Sequence, residues 1–509
     1  MDKRWLIKKA PLTEEIEKLS SAINTNSFLS GLLLQRGIAD YSSAKNFFRP
    51  QLEQLHDPFL MKDMDLAVSR IIQAMDSEEK IMVYGDYDVD GTTSVSMFYD
   101  FLRKIYPNCC YYIPDRYKEG YGISYKGIDV ASEDGCGLII SLDCGIKSLE
   151  HIEYAKERNV DFIICDHHQP GETLPEASAV LDPKRQDCSY PYKELSGCGV
   201  GFKFLQALCI AKKIDTTLLF NYLDLVAVSI ASDIVPITGE NRVMAFYGLK
   251  VLNESPRTGL KALINIAGLC DRTIEITNVV FGLGPRINAA GRIAHAKAAV
   301  ELLLCEDEEE ALRFAKEIDQ NNTLRKDFDS SITDEALSLI ESDEFLLQAK
   351  STVLYKEDWH KGVIGIVASR CIEKYHRPTI IMTRSGDYFA GSARSVTGFD
   401  VYEAIEKCSD LLIQFGGHKF AAGLTIKPNN LEAFQKRFEE VVAEVITPEQ
   451  LIPHIEVDLE IDLSVINTKF HDILDQMKPF GPGNMQPVFV SRNVSDSGRA
   501  RLLKDQHIK

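Results

Sequence analysis

The sequence predicts an α/β protein in which a lobe built on a parallel sheet is joined by a long helix to a smaller α/β lobe. Three observations predict this fold. Short apolar runs alternate with helix-like stretches from about residue 78 to 185. No glycine or proline occurs between Gly291 and Gly362. Two further strand-like runs follow from about residue 350.

The first lobe is predicted from runs of largely β-branched, aromatic or leucine residues, which are typical of buried parallel strands. These runs are residues 81–84, 111–113, 138–142, 162–164 and 179–181. An aspartate comes shortly after each run: Asp86, Asp115, Asp143, Asp166 and Asp182. Because the carboxyl ends of parallel strands line one edge of a sheet, we expect several of these carboxylates to converge on one crevice.

The other elements are predicted from composition and periodicity. Residues 196–300 are expected to be largely helical. Residues from about 308 to 339 are rich in Glu, Ala, Lys, Asp and Leu, which predicts the connecting helix. Strand-like runs at 351–354 and 379–382 open the second lobe, and the alternation at 455–461 predicts a β module.

Composition restricts the class of protein. A chain of 509 residues is long enough for about three or four domains. No apolar stretch reaches the ~18 residues of a membrane span, and the charged start does not resemble a signal peptide, so we expect a cytoplasmic protein. The twelve cysteines include no C-x-x-C pair, which predicts reduced, mostly buried thiols and no zinc ribbon.

The net charge of −18 disfavours a generic polyanion binder. The charge is uneven, however, because residues 351–428 carry ten Lys/Arg and eight Asp/Glu. Acidic clusters that hold metal ions also add negative charge that the ions neutralise. The charge therefore does not exclude nucleic acid as a substrate.

The first candidate motif is an acidic loop after the first strand run, Gly85-Asp86-Tyr87-Asp88-Val89-Asp90-Gly91. Three carboxylates at alternate positions of a tight turn cannot all stay ionised without a compensating cation. By itself the loop is equally well interpreted as a solvated acidic turn. The preceding strand, and a twelfth position without Glu, disfavour an EF-hand calcium loop.

Three further motifs lie at the ends of predicted elements. They are Asp143-Cys144-Gly145, Asp166-His167-His168 and Ser232-Asp233-Ile234-Val235-Pro236. Taken singly, the first can be a simple turn and the second an ordinary surface loop. Together with the acidic loop they supply five or six carboxylates and imidazole, which predict two divalent ions and phosphoryl-transfer chemistry.

These four motifs resemble, in order and spacing, those of the DHH phosphoesterases. Other runs are similar to the branch of this superfamily that degrades single-stranded DNA. They are Tyr112-Ile113-Pro114-Asp115-Arg116, Glu119-Gly120-Tyr121-Gly122, Gly284-Pro285-Arg286-Ile287-Asn288-Ala289-Ala290-Gly291-Arg292, Trp359-His360-Lys361-Gly362-Val363-Ile364-Gly365, Ser392-Ala393-Arg394-Ser395 and Gly416-Gly417-His418.

The resemblance implies a set of site residues. It assigns two metal ions, Mn²⁺ or Mg²⁺, to the ligands Asp86, Asp88, Asp90, Asp143, His167 and Asp233. It assigns catalysis to Asp88, Asp90, Asp143, His167, His168 and Asp233. Tyr84 stands where many DHH enzymes place a histidine, which is a departure from the family pattern.

The resemblance also implies a substrate clamp in the second lobe. Arg116, Ser392 and Arg394 are expected to grip a terminal 5′-phosphate, and Arg286 and Arg370 to contact the sugar-phosphate backbone. His418 is a further substrate-binding candidate. We expect the segment from Gly416 to His418, with Ala421-Ala422-Gly423 after it, to form a glycine-rich turn that approaches phosphate, although a tight connection of small packing residues is the plainer interpretation.

The implied architecture is a two-lobed DHH phosphoesterase with a DHHA1-type second lobe and a partial OB-fold. The implied domains are an N-terminal segment (1–75), the DHH metal-binding domain (76–305), the connecting helix (306–349), the DHHA1-type substrate-binding domain (350–430) and the start of an OB-fold (445–509). Because the barrel pattern breaks off at Lys509, we expect an incomplete or shortened OB module.

The implied activity is metal-dependent 5′-to-3′ hydrolysis of single-stranded DNA to nucleoside 5′-monophosphates, in DNA repair and recombination. An alternative enzyme is a DHH phosphodiesterase for cyclic dinucleotides or very short oligonucleotides. A non-catalytic scaffold is the alternative outside enzymes. We expect a monomer that binds single-stranded DNA, with a single-strand-binding protein and a helicase as partners and no membrane association.

Overall fold

The protein is described by a computed structural model that covers residues 3–495, 498, 501–503, 507 and 508. The strands are β1 (Arg4–Ile7), β2 (Lys80–Gly85), β3 (Cys109–Tyr112), β4 (Cys136–Leu142), β5 (Asp161–Cys165), β6 (Ala179–Leu181), β7 (Thr352–Tyr355), β8 (Thr379–Ser385), β9 (Tyr388–Arg394), β10 (Leu412–His418), β11 (Ala421–Ile426), β12 (His454–Val457), β13 (Leu459–Glu460), β14 (Phe489–Val490), β15 (Leu502–Leu503) and β16 (His507–Ile508).

The helices are α1 (Thr13–Ile23), α2 (Ser27–Leu34), α3 (Tyr41–Phe48), α4 (Met64–Asp76), α5 (Val89–Ile105), α6 (Tyr125–Glu133), α7 (Leu149–Glu157), α8 (Gly197–Lys212), α9 (Leu223–Ser232), α10 (Gly239–Glu254), α11 (Thr258–Ile266), α12 (Ile276–Asn278), α13 (Gly284–Ile293), α14 (Lys297–Leu304), α15 (Glu308–Ser342), α16 (Glu344–Gln348), α17 (Ile364–Tyr375), α18 (Val401–Glu406), α19 (Leu431–Val445) and α20 (Thr468–Asp475). None of the helices in the described part of the chain combines the length and the apolar character that a membrane-spanning helix requires.

The chain divides into two compact units. Leu52–Pro453 forms the first unit, and Lys3–Gln51 joins the described residues from His454 onward in the second. The first unit contains both predicted lobes. The α/β class, the parallel core sheet and the long helix are confirmed, while the predicted domain boundaries stay predictions.

The first lobe is built on a parallel sheet with the strand order β3-β2-β4-β5-β6. Four of its strands are buried almost throughout because helices cover both faces, which explains their continuous apolar runs, whereas the edge strand β3 is half-buried. The helix α4 also packs into this core, through Met64, Ala67 and Ile71. The carboxyl ends of the five strands therefore share one edge.

The long helix α15 joins the cores of the two lobes. At 35 residues it is about 52 Å long. Ala315 and Ile318 near its start lie in the core of the first lobe, whereas Ala336 and Ile340 near its end lie in that of the second. The apolar stripe along this one helix thus packs into the cores of both lobes.

The second lobe has a mixed sheet with the order β10-β11-β9-β8-β7. Its only parallel pair among the described strands is β7 with β8, and the other pairs are antiparallel. Phe434 and Phe438 of α19 pack against this sheet. The glycines expected in a turn lie elsewhere: Gly416 and Gly417 are part of β10, in a hairpin whose turn is Lys419-Phe420. That prediction was wrong because small residues pack equally well in paired strands.

In the second unit the two ends of the chain fold together. β1 pairs in parallel with β12, so that Arg4 lies opposite His454. Leu19 and Leu33 of the N-terminal helices share a small core with Met477. The expected incomplete OB-fold falls partly on residues 496, 497, 499, 500, 504–506 and 509, which lie outside the described residues.

Candidate metal centre

Side chains from the four predicted motifs meet at the carboxyl edge of the parallel sheet. Asp86 follows β2, Asp143 follows β4, and Asp166 and His167 follow β5. All four are buried. Asp115, which follows β3, instead caps a turn by accepting hydrogen bonds from the backbone N–H groups of residues 117 and 118.

The acidic loop turns directly into helix α5. Asp88 is the N-cap residue of this helix, and its Oδ1 accepts a hydrogen bond from Gly91 N at 3.1 Å. Asp90 lies in the first turn, where the helix dipole favours a carboxylate. Asp86 Oδ1 accepts a long hydrogen bond of 3.4 Å from Gly122 N. The loop therefore presents its carboxylates from a defined backbone.

Asp90 is held by groups of two further helices, α8 and α9, a contact that the sequence did not indicate. Its Oδ2 accepts a hydrogen bond from Gly197 N at 2.7 Å, and its Oδ1 accepts from Cys198 N and from Ser229 Oγ, both at 2.8 Å. Gly197 is the first residue of α8, whose free N–H groups suit an anion. A Cβ atom at Gly197 would lie 2.6 Å from Asp143 Cβ, so glycine permits this close approach.

His167 lies at the centre of the carboxylates. Its Nε2 is 3.2 Å from Asp143 Oδ1, 3.6 Å from Asp233 Oδ2 and 3.8 Å from Asp90 Oδ2. Two groups of side chains could each hold an ion with ligand atoms within 4.8 Å of one another: one is Asp143 with His167 and His168, and the other is Asp90 with His167 and Asp233. His167 belongs to both groups, so the two groups adjoin.

Unpartnered polar atoms test whether these residues fit metal ions. Both ring nitrogens of His167, Oδ1 of Asp143 and Oδ2 of Asp86 are buried without a hydrogen-bond partner in the described part of the structure. Buried polar atoms of a native protein almost always have partners. Carboxylate oxygen and neutral imidazole are the donors that Mn²⁺ and similar ions accept. The residues present therefore fit divalent ions.

The electrostatics of the cluster lead to the same conclusion. Burial, together with the charge of Asp90, raises the pKa of Asp143 well above its usual value. The same two causes raise the pKa of Asp233 to about 8. Burial and the charge of Asp88 likewise raise the pKa of Asp86. Burial lowers the pKa of His167, which keeps its imidazole neutral. The carboxylates thus lack a counter-charge that divalent cations would supply.

His168 differs from His167 because both of its ring nitrogens have hydrogen-bond partners. Its Nδ1 donates to Asp166 Oδ1 at 2.7 Å, and its Nε2 lies 3.1 Å from the hydroxyl of Tyr121. Burial would lower the pKa of His168, but the hydrogen bond and the charge of Asp166 raise it to about 9. His168 is therefore a cation beside the carboxylates. Tyr121 was not predicted as a site residue, although it lies in one of the quoted motifs.

A cluster of arginines lies next to the carboxylates. Arg116 lies over the ring of Tyr87, 4.8 Å from its centre, and Tyr87 stands between Asp86 and Asp88 in the chain. Arg394 donates to Ser392 Oγ at 3.0 Å. Residues from both lobes thus contribute to one basic surface.

Arg292 joins this cluster, although the sequence analysis assigned it no role. It donates to the carbonyl oxygen of Gly362 at 2.9 Å, which links the first lobe to the second. Burial and the charges of Arg116 and Arg394 lower the pKa of Arg292 to about 10. Mutual repulsion among the guanidinium groups indicates that this surface is suited to an anion.

Two of the remaining predicted substrate residues already have ion-pair partners, and the third is exposed. Arg286 forms an ion pair with Asp319 at 2.8 Å and donates to Gly282 O. Arg370 pairs with Glu373 at 3.1 Å and is half exposed. His418 is exposed on β10, where burial and the charge of His168 lower its pKa. Their substrate roles stay predictions.

Three family models match the chain. The DHH family, N-terminal domain, matches residues 80–230, the DHHA1 domain matches residues 348–444, and the RecJ OB domain matches residues 457–509. The chain is also 34% identical over 472 residues to the single-stranded-DNA-specific exonuclease RecJ of Salmonella typhimurium, covering 88% of this chain and 81% of that protein. The chain belongs to the RecJ family.

Other members of the RecJ family agree with this assignment. The RecJ of Bacillus subtilis is 38% identical over 509 residues, and the match spans 99% of this chain but 64% of that longer protein. The crystal structure of Thermus thermophilus RecJ in complex with Mn²⁺ superposes with a TM-score of 0.84 at 27% identity, covering 96% of this chain and 69% of that one. The predicted family and its DHH, DHHA1 and OB composition are confirmed.

Proposed function

We propose that this chain is a metal-dependent exonuclease that hydrolyses single-stranded DNA from its 5′ end to nucleoside 5′-monophosphates, in DNA repair and recombination. The observation that carries the proposal is the contact between Arg116 and Tyr87. It places the arginine cluster directly beside the acidic loop. A terminal phosphate bound by the arginines would thus bring the first phosphodiester bond to the carboxylates. The preference for single-stranded DNA rests on relatives that are named single-stranded-DNA-specific exonucleases, and the 5′ polarity rests on the sequence resemblance.

The carboxylates would hold the ions and orient the reacting groups. Asp90, His167 and Asp233 would hold one ion, and Asp143, 3.2 Å from His167, would be a ligand of the other. Asp86 and Asp88 would add carboxylates from the acidic loop. When bound, two divalent ions lower the pKa of a water molecule and stabilise charge on the attacking and leaving oxygens. The helix start at Gly197 fixes Asp90, so that this ligand does not turn away.

His168 would act as a cation toward the substrate. Asp166 holds its ring and keeps it protonated at neutral pH. A protonated imidazole stabilises the negative charge that develops on a non-bridging phosphate oxygen in the transition state. Tyr121 contacts the other nitrogen of His168 and is 58% exposed, which leaves its ring available to a nucleotide.

The arginine cluster would bind the terminal 5′-phosphate. Arg116 and Arg292 come from the first lobe, while Ser392 and Arg394 come from the second, so the phosphate would lie between the lobes. Planar guanidinium groups bind phosphate oxygens in pairs. A Cβ atom at Gly365 would lie 2.7 Å from Arg394 Nη2 and 2.8 Å from Ser392 Oγ, so the glycine leaves room beside both side chains.

The other predicted properties are proposals of the same kind. Single-stranded DNA is the proposed nucleic-acid partner, and a single-strand-binding protein and a helicase are proposed protein partners. A monomeric state and a cytoplasmic location are proposed with them. All of these rest on the sequence resemblance.

The decisive test is digestion of single-stranded DNA labelled separately at each end, with Mn²⁺, Mg²⁺ or EDTA. We expect immediate release of the 5′ label as a mononucleotide, gradual shortening of the 3′-labelled strand, and no reaction in EDTA. Release of the 3′ label first would contradict the proposed polarity. Hydrolysis of cyclic dinucleotides without cleavage of DNA would favour the alternative phosphodiesterase.

A further inference from the structure

A groove lies along the open edge of the sheet in the second lobe. The strand β7 is the last in the order β10-β11-β9-β8-β7, and among the described strands it pairs with β8 alone. Residues of β7 line the groove, whose volume of about 700 Å³ is in the range of ligand-binding clefts. None of its described lining residues belongs to the metal centre or to the arginine cluster.

Helices flank β7 on both faces of the sheet. Leu354 packs in the core formed by α15 and α17, whereas Val353 packs on the opposite face with Phe434 of α19. The end of α15 together with α16 forms one wall of the groove, and α19 forms the other. The space between these walls is where a sixth strand of the sheet would lie.

The backbone of β7 directs hydrogen-bonding groups into the groove. Thr352 N donates to Pro378 O at 2.9 Å, on the side of β8. Because the backbone groups of successive strand residues alternate in direction, Val353 and Tyr355 direct their N–H and C=O groups to the open edge. Gln435 Nε2 of α19 donates to Val353 O at 3.0 Å and so satisfies one of these groups. The other backbone groups of Val353 and Tyr355 suit the main chain of an added strand.

The two walls of the groove differ in chemistry. Leu339, Phe345 and Leu346 give the α16 wall an apolar surface, and Phe345 is 66% exposed. The α19 wall includes the polar side chains of Gln435 and Glu439. Since the side chains of a strand alternate between its two faces, a segment of alternating apolar and polar residues would match both walls.

The charge of the groove indicates what kind of segment fits it. Its charged lining residues in the described part of the chain are Asp343, Glu344 and Glu439, all of them acidic. Lys350 lies beside the groove, but its Nζ donates to Ala443 O. Acidic side chains repel the phosphates of nucleic acid, and a second copy of the chain would bring two acidic grooves together. They attract lysine and arginine, so a basic segment fits best.

We propose that this groove binds an extended, basic segment of a partner protein, which joins β7 as a sixth strand. Its main chain forms hydrogen bonds with Val353 and Tyr355, its apolar side chains contact Phe345, and its basic side chains approach Glu439. The four residues of β7 span about 13 Å, which is enough for about four residues of the segment. To pair along the whole strand, the segment displaces Gln435 from Val353 O.

The test is binding of the fluorescein-labelled peptide Lys-Val-Lys-Val-Lys-Val-Lys to the full chain, measured by fluorescence anisotropy. In one control peptide glutamate replaces each lysine, and in another proline replaces the central valine, which keeps the charge but removes a main-chain donor. We expect saturable binding of the basic peptide that weakens as salt is added. Both control peptides should bind about tenfold more weakly or less, because each lacks charge complementarity or a strand hydrogen bond.

Matched variants test the walls of the groove. Phe345→Ala and Glu344→Gln should each weaken binding about 3- to 10-fold, since each removes a contact or a charge at the groove. The controls Leu347→Ala and Glu440→Gln change exposed residues of the same two helices outside the described lining, and they should leave binding unchanged.

Two measurements distinguish an added strand from contact through side chains alone. Gln435→Ala should tighten binding, because the segment no longer has to displace the glutamine amide from Val353 O. Hydrogen exchange of the Val353 and Tyr355 amides should slow in the complex. Exchange along β10, the other edge of the same sheet, should not change.

Several results would overturn the proposal. They are the absence of saturable binding up to about 1 mM peptide, equal binding of the proline-containing peptide, and binding that leaves exchange of both amides unchanged. Slower exchange at β10 in place of β7 would overturn it as well. Displacement of the peptide by single-stranded DNA, or by self-association of the chain in sedimentation, would assign the groove to a different occupant.

Discussion

Replacing Asp143 by asparagine separates the role of this residue in metal binding from any role in folding. Asp143 has a φ of 61°, a left-handed conformation that asparagine tolerates and alanine does not. Its Oδ1 is buried without a hydrogen-bond partner in the described part of the structure and lies 3.2 Å from His167 Nε2. We expect Asp143→Asn to lose Mn²⁺-dependent turnover while the metal-free protein becomes more stable.

The magnitudes follow from burial and charge. Asparagine keeps an acceptor oxygen but has no charge for burial and Asp90 to disfavour, so the substitution should raise the free energy of unfolding in EDTA by about 1–3 kcal/mol. Asp143→Ala should raise the free energy of unfolding by less than Asp143→Asn does, because a left-handed alanine costs about 1–2 kcal/mol. Loss of a metal ligand removes several kcal/mol of transition-state stabilisation, which corresponds to a turnover about 10³-fold lower.

Two assays check this prediction. Urea unfolding with EDTA or Mn²⁺ measures stability, and release of a 5′ label from single-stranded DNA measures turnover. Asp134→Asn is the matched control, because this carboxylate is exposed at the opposite end of the same sheet. Turnover of Asp143→Asn within about tenfold of the wild type, or lower stability in EDTA, would refute the assignment of Asp143 as a strained metal ligand.

Three further changes test other parts of the site. Arg394→Ala should raise KM for 5′-phosphorylated DNA about 10- to 100-fold and leave KM for 5′-hydroxyl DNA unaffected, because charge-assisted hydrogen bonds contribute about 1.5–3 kcal/mol. The control Arg437→Ala, at a surface ion pair, should change KM for neither substrate. Equal effects of Arg394→Ala on both substrates would contradict a phosphate clamp. Burial raises the pKa of Asp182 to about 7, so native Asp182 binds its proton more tightly than the unfolded chain does, and stability in EDTA should fall as pH rises from about 4 to about 7. Burial raises the pKa values of Asp86, Asp143 and Asp233 as well, so Asp182→Asn should lessen this slope in urea unfolding by the contribution of one carboxyl group. A slope equal to that of the wild type would contradict the raised pKa of Asp182. Gly197→Ala should lower Mn²⁺-dependent turnover with the helical circular dichroism retained, because the new Cβ meets Asp143 at 2.6 Å; wild-type turnover would show that the backbone yields there.

The sequence by itself determined the elements and most of the candidate site. The five strands of the first lobe and the long helix were predictable because each is encoded locally, by apolar runs or by a stretch without glycine and proline. The convergence of Asp86, Asp143 and Asp166 was predictable as well, since parallel strands must end at one edge. Asp115 shows the limit of this rule: it also follows a strand, yet its carboxylate accepts a hydrogen bond from the backbone of the following turn.

Only the tertiary structure decided which distant groups meet. Gly197 and Ser229 hold Asp90 from positions more than a hundred residues away, and Arg292 reaches Gly362 across the lobes. The pairing of β1 with β12 joins residues 450 positions apart. Such contacts depend on how buried faces pack against each other, and no local periodicity records the partner. The sequence therefore determined which reactive side chains are available, and tertiary packing decided which residues hold those side chains in place.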